Sequence, residues 1–327
     1  MKAGKLDSEL LRKIVFNNIS YHRDEVMVRP GIGEDCAVID FGEYACVIST
    51  DPITGAVNEI GRLAVHIACN DIASNGVEPL GIMLTIMAPE GTTENDINEI
   101  MKQAGEAAAA LKVEIIGGHT EITPAVNKVI ISSTAIGRQL KKKVVFSKGA
   151  QVGDSIVMTK NLGLEGTAII AHDWEERLRR ELGDDLVDEA KSMMEKISVV
   201  TEGVIGGEVG VSSMHDITEG GLLGAIWEMC EASSVGALVH KGKVNIAQST
   251  EKICQHFQID PFRIISSGCM LITIPKDKDA ELIEALKKKG VEAKVIGEVT
   301  ETGRFLQMGE QLVEIAPPNS DELYKVV

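Results

Sequence analysis

The chain has 327 residues, 44% of them hydrophobic but only 3% aromatic, and a formal charge of −16. That length suits two domains with aliphatic cores, and the charge argues against nucleic acid or an anionic membrane as the main partner. It leaves room for phosphate, which can arrive with a divalent cation. No apolar run reaches membrane-spanning length, and the opening MKAGKLDSELLRKIVF breaks its apolar residues with charge, unlike a signal peptide. Six scattered cysteines without a C-x-x-C pair fit neither a disulfide framework nor a zinc site, so a reduced, cytoplasmic setting is expected.

In chain order, residues 6–19 predict a short amphipathic helix. Arg29-Pro-Gly-Ile-Gly-Glu-Asp35 leads into a strand, and a second strand, 44–49, ends at Ser49-Thr50-Asp51-Pro52. Residues 61–75 have helical spacing, with Asn58 placed to cap the start and Gly76 to end it in a left-handed turn. Asn70 and Asp71 interrupt this core-grade helix, and a polar pair there must be hydrogen-bonded or bound to something. Residues 80–87 read as a strand, Thr93 as the cap of a helix to about 111, and 113–116 as a short strand entering Gly117-Gly118-His119-Thr120-Glu121. A strand at 129–136 completes an α/β or α+β unit. The basic, then Gly-rich stretch 138–154 places a domain boundary near residue 147, giving domains 1–147 and 148–327.

The second half opens with a strand at 155–159 and then Leu162-Gly-Leu-Glu-Gly166 starting a helix. Residues 174–202 read as a charged, helical outer layer. A strand at 211–217 runs into His215-Asp216-Ile217-Thr218-Glu219-Gly220-Gly221, followed by a helix at 222–230. A strand at 268–274, a helix at 276–289 and strands at 291–299 and 305–308 finish an α/β lobe.

Four motifs place oxygen-rich residues at element ends: Gly33-Glu34-Asp35, Ser49-Thr50-Asp51, Asn70-Asp71 and Gly117–Glu121. Hard cations such as Mg²⁺ take carboxylate oxygens and share their shell with phosphates, while glycines let backbone N–H groups approach phosphate. The set points to a Mg–nucleotide site built without a Walker A loop or a strand-led G-x-G-x-x-G. Each motif alone is an ordinary turn.

The order of these motifs, with Gly31-Ile-Gly-Glu-Asp-Cys-Ala-Val, Ala64-Val-His-Ile-Ala-Cys-Asn-Asp-Ile-Ala, Val152-Gly-Asp, Leu162-Gly-x-x-Gly166 and Ser266-Ser-Gly-Cys-Met-Leu271, resembles the aminoimidazole ribonucleotide (AIR) synthase superfamily. Its hydrogenase-maturation HypE branch is the nearest match, through Arg62-Leu-Ala-Val-His66 and His215-Asp-x-Thr-Glu219. The resemblance implies a two-lobed fold, ATP and Mg²⁺ as cofactors, a homodimer through the first lobe and phosphoryl chemistry on a small acceptor. By matching position, Asp35, Asp51 and Asp71 would hold the metal with Glu121. Gly33, Thr50, Asn70, Gly117, Gly118, Thr120 and Lys148 would meet the nucleotide, and Asp216, Glu219 and His119 would face the chemistry. His119 stands where several members carry an acid, and phosphate contact, substrate contact and plain hydrogen bonding suit its imidazole equally. The chain ends Asp321-Glu-Leu-Tyr-Lys-Val-Val327 without the terminal carrier cysteine of HypE proper. Residues after Pro318 are therefore expected to be dispensable for nucleotide binding, and the acceptor is expected to differ. A nucleotide-binding accessory protein with a maturation-protein partner and no turnover of its own is the alternative class. His66 reads as a satisfied core histidine, and Lys141-Lys142-Lys143 as a solvated linker run.

Overall fold

Two mixed sheets organise the chain in the computed structural model, which describes residues 6–54, 58–318 and 320–326. The first contains β1 (Val26–Val28), β2 (Ala37–Phe41), β3 (Tyr44–Ile53), β4 (Pro79–Ala88), β5 (Glu114–Ile122) and β6 (Ile130–Leu140), in the order β1-β2-β3-β6-β4-β5. Only the β4–β5 pairing is parallel. Helices α2 (Ile60–Ser74) and α3 (Glu94–Leu111) accompany this sheet, while α1 (Ser8–Ile14) reaches the second lobe through Arg12 and Glu231. Along β3, Ala45, Val47 and Ser49 are buried and alternate with more exposed residues, so one face of the sheet is core and the other open. Leu80, Met83, Ile116 and Ile122 are exposed apolar side chains on β4 and β5.

The expected cap on α3 is present: Thr93 accepts from Asp96 N, and the Asp96 carboxylate accepts from Thr93 N at 2.8 Å. The expected Asn58 cap on α2 is not. Left-handed Glu59 precedes the helix, and the free Gly61 N–H donates to Gln103 Oε1 of α3 at 3.2 Å instead. Gly61 lies so close to α3 that a Cβ there would sit 2.1 Å from the Ile100 carbonyl oxygen. The other end of α2 turns, as expected, at Gly76 with φ +70°.

The second sheet holds β7 (Ser155–Thr159), β8 (Ser213–Asp216), β9 (Gly236–His240), β10 (Met270–Ile274), β11 (Ala293–Thr300), β12 (Arg304–Met308) and β13 (Gln311–Glu314). Their order is β13-β12-β9-β11-β7-β10-β8. Two apolar clusters flank it. One involves α4 (Leu164–Asp173), α5 (Glu175–Leu182), α6 (Asp184–Ser192), α8 (Gly221–Ser233) and α9 (Gln248–Phe257); the other involves α7 (Val200–Val209) and α10 (Asp279–Lys288). Residues 174–202 are more than an outer layer, since Leu178, Val187, Ala190, Met193 and Met194 are core. The sequence pattern also missed α9 and β13, which are short and weakly apolar. Helix α2 is the seam between lobes: it packs on β3 and β6 on one side and on α7 and β8 on the other. No helix among the described residues is long and apolar enough to cross a membrane.

Candidate functional site

A cleft of about 560 Å³ opens between the lobes. The first lobe supplies Glu34 and Asp35 from the turn before β2, Asp51 near the end of β3 and Asp71 from α2. The second supplies Glu165 from the first turn of α4 and Glu219 from the loop before α8. The turn carrying Asp35 is pressed against α8: Gly33 has φ +75°, and a Cβ there would lie 2.9 Å from the Glu228 carbonyl oxygen. A second cleft of about 750 Å³ shares Glu34, Asp35 and Glu219 as a common wall.

The polar centre is crowded with like charge. Asp35, His215 and Asp216 each offer a donor atom within 4.8 Å of the others, a spacing that suits a metal ion. His215 lies 3.4 Å from Asp35 Oδ2 through Nδ1 and 3.4 Å from Glu228 Oε2 through Nε2. Burial opposes charging this imidazole, but Asp35, Glu228 and Asp216 outweigh it and raise its pKa to about 10. Asp71 is buried and accepts from the Ser49 hydroxyl. Burial, then Asp216, Asp51 and Asp35, push its carboxyl well above the usual carboxylate range. Glu34 is raised by burial as well, with Lys148 pulling the other way. Asp35 Oδ2 is buried with no hydrogen-bond partner among the described residues. Clustered oxygens and one orphaned carboxylate oxygen are the donor set of a hard cation, so these residues fit Mg²⁺.

Asp35, Asp51, Asp71 and Glu219 of the expected site therefore share one cleft, with Asp216 beside Asp35. Other expected residues are placed differently. Asn70 does not face the cleft: its Nδ2 donates to Ile197 O and its Oδ1 accepts from Val199 N, both at 2.8 Å, so both ends of the amide tie α2 to the second lobe. Because β3 continues to Ile53, the side chains of Thr50 and Asp51 leave it on opposite faces; Thr50 still lines the cleft, with its hydroxyl paired to Thr134 Oγ1 at 3.0 Å. Lys148 is exposed on a short 3-10 turn, outside the residues lining the cleft.

Gly117, Gly118, His119, Thr120 and Glu121 are not a loop converging on the acids but the body of the exposed edge strand β5. Registers run from Asp51 through Ser133 and Leu84 to Gly118, which puts three strand spacings, about 14 Å, between Asp51 and Gly118. Gly118 is required by the β4 contact, where a Cβ would lie 2.0 Å from Leu84 O. His119 and Glu121 form a solvent-exposed pair at 3.7 Å, so within one chain Glu121 does not join the other three carboxylates.

Several residues in or just behind the cleft escaped the sequence reading. Ser49 and His215 lie inside the quoted motifs but were given no role, and Glu165 occupies a variable position of Leu162-Gly-x-x-Gly166. The segment after Pro318 is part of the site: Leu323 and Tyr324 line the cleft, and the Asp321 carboxylate accepts from Gly220 N at 2.6 Å and Leu323 N at 2.8 Å. Its expected dispensability does not fit that placement. His66 is in the core as expected, but its Nδ1 has no hydrogen-bond partner among the described residues. Burial, then Arg62 and Lys160, lower its pKa to about 4, which keeps it neutral.

Residues 33–139 match the N-terminal domain of AIR synthase related protein and residues 151–307 its C-terminal domain. A putative hydrogenase expression/formation protein of Methanocaldococcus jannaschii is 31% identical over 308 residues, 91% of this chain and 88% of that protein. Carbamoyl dehydratase HypE of Cupriavidus necator is 28% identical over 273 residues, 80% of this chain and 75% of that protein. Among solved structures, a chain of a HypE–HypF complex superposes with a TM-score of 0.77 at 22% identity, covering 94% of this chain and 99% of that one. A hydrogenase maturation protein HypE in complex with ATP gives 0.70 at 20% identity, covering 99% and 98%. At such identities the structural likenesses show the shared fold.

Proposed function

This chain belongs to the AIR synthase-related family, and we propose that its interlobe cleft binds ATP with Mg²⁺ and uses it to phosphorylate or otherwise activate a small acceptor. The observation that carries the reading is the convergence of Asp35, Asp51, Asp71 and Asp216 from both lobes into one partly buried centre, where the acids outnumber the His215 imidazolium and the Asp71 carboxyl is raised well above its usual range. Asp35, Asp51 and Asp71 would hold Mg²⁺, which when bound supplies charge to offset the phosphates. His215, held charged between Asp35 and Glu228, fixes the Asp35 side of the centre. Glu219 lies on the wall common to both clefts, where it would face the reacting groups. The ATP complex of a protein with this fold supports the choice of nucleotide.

The relatives named for hydrogenase formation support a setting in metalloenzyme maturation, in which a protein partner and an accessory role without turnover form the second reading. A homodimer through the first lobe fits the exposed Leu80, Met83, Ile116 and Ile122 beside the edge strand β5. Pairing there would cover Gly117–Glu121, which one chain leaves outside the cleft. The test is a thermal melt with and without Mg–ATP, followed by ADP release across a panel of small acceptors. A Mg-dependent rise in melting temperature and acceptor-dependent ADP are expected. No rise would refute the site, and a rise without ADP for any acceptor would favour the accessory role.

A further inference from the structure

Two buried polar side chains on the second-lobe wall have no part in the reading above. Glu165 is 5% exposed and Ser267 is fully buried, and both line the cleft. They are held by a tight junction: Gly163 N donates to Ser266 Oγ at 2.6 Å and Gly166 N to Ile265 O at 3.1 Å. A Cβ on Gly166 would sit 2.5 Å from Ile264 Cγ1, so the first turn of α4 lies directly on the 264–267 segment. Ser267 is near enough to pull the Glu165 pKa down against burial, which still leaves it at about 7. Apart from that contact with each other, Glu165 Oε2 and Ser267 Oγ have no hydrogen-bond partner among the described residues. Such atoms are costly unless something else completes them.

We propose that Glu165 and Ser267 form the acceptor subsite of this cleft and select a small nitrogen base with N–H donors, an amine or amidine, over a phosphate monoester. This rests on the Mg–ATP reading, in which Asp35, Asp51 and Asp71 are taken up by the cation and Glu165 is not. The described lining includes Glu34, Glu165 and Glu219 besides those three, and no Lys, Arg or His. An anionic acceptor would find no basic side chain there and would have to share the cation with the phosphates, whereas an amidinium offers two N–H groups to a carboxylate in a bidentate, charge-assisted pair. Ile169 and Ile265 flank the pair and supply apolar contact for the rest of a small molecule.

The test uses the full chain with Mg²⁺ and a non-hydrolysable ATP analogue, titrated with benzamidine, benzamide or phenyl phosphate and followed by ligand-observed NMR. Wild type should bind benzamidine at least about tenfold tighter than the isosteric benzamide, the scale of one charged hydrogen-bonding partner, and phenyl phosphate more weakly than either. Glu165→Gln should bring the benzamidine-to-benzamide ratio near one while the melting shift given by the Mg-bound analogue persists. Ser267→Ala should weaken both probes and keep the preference, because it leaves the carboxylate in place. An unchanged ratio in Glu165→Gln, or phenyl phosphate as the tightest probe, would overturn the proposal. So would loss of the analogue's melting shift in Glu165→Gln, which would assign the residue to the nucleotide. Absence of that shift in wild type would instead sink the underlying nucleotide reading.

Discussion

Asn70 and Asp71 are neighbours on α2, both almost inaccessible, and they belong to opposite kinds of region. Around Asn70 the seam between lobes is closed with hydrogen bonds. Its amide crosses to Ile197 O and Val199 N, and within the second lobe Lys160 Nζ reaches Ser198 O at 2.5 Å, Gly268 O at 3.0 Å and Glu202 Oε1 at 2.6 Å. Around Asp71 the acids of both lobes crowd together, and the protein on its own favours keeping a proton there. Burial is the same, but satisfaction differs. A polar group in the first kind of region fixes geometry at little net cost, while one in the second waits for a counter-charge.

The sharpest way to break this contrast is Asn70→Ala. It strands the Ile197 carbonyl and the Val199 N–H in the interior, so unfolding free energy should fall by about 4 kcal/mol, roughly 2 for each abandoned group. Urea denaturation measures it, and the protein that remains folded should bind Mg–ATP normally. A stable variant with weakened nucleotide affinity would move Asn70 back into the site.

The next effect is pH-dependent. Folded Glu165 holds its proton to about pH 7, against an ordinary value of 4.5, because of burial. Its contribution to stability is therefore complete below about 4.5 and is lost as pH rises toward 7, the sign expected when the folded state binds more protons. That contribution amounts to roughly 3 kcal/mol at about 1.4 kcal/mol per pH unit. Wild-type stability minus that of Glu165→Gln should decline across this window without ligand. A flat difference would show that the carboxyl is not desolvated.

Asp71→Asn keeps the size of the side chain and removes one charge from the crowded centre. Mg-dependent ATP affinity should fall by about 2 kcal/mol, while stability without ligand should hold or rise. If the variant melts early yet keeps its full nucleotide-induced shift, Asp71 is a structural carboxylate like its neighbour. The smallest effect is expected at β5, where His119→Ala removes one exposed side chain and should change monomer stability by less than about 0.5 kcal/mol. Chemical denaturation of the monomer measures this, and a larger loss would show that β5 is held by more than its pairing with β4.

What could be read from the sequence was whatever depends on neighbours in the chain. The Thr93–Asp96 capping box, the left-handed Gly76 and the acids Asp35, Asp51 and Asp71 all sit in short local patterns. The two-lobed mixed fold followed from the alternation of such patterns and from the family resemblance. What could not be read depends on distant partners. The sequence shows Asn70 as polar in a core helix, but its partners lie 127 and 129 residues away. Thr50 and Asp51 look equivalent until β3 is seen to continue through both, which sends them to opposite faces. Gly117-Gly118 has the composition of a phosphate loop, yet Gly118 is there to let β5 pass Leu84. Glu165 was hidden because a glycine-framed motif draws attention to its glycines.

The most direct test of the central claim is a crystal structure with Mg²⁺ and a non-hydrolysable ATP analogue. The account predicts the metal bound to Asp71 and at least one of Asp35 and Asp51, at oxygen distances of about 2.1 Å, with the phosphates between the two lobes. Phosphates seated away from these carboxylates, with Asp71 still carrying only its Ser49 contact and no metal, would contradict it.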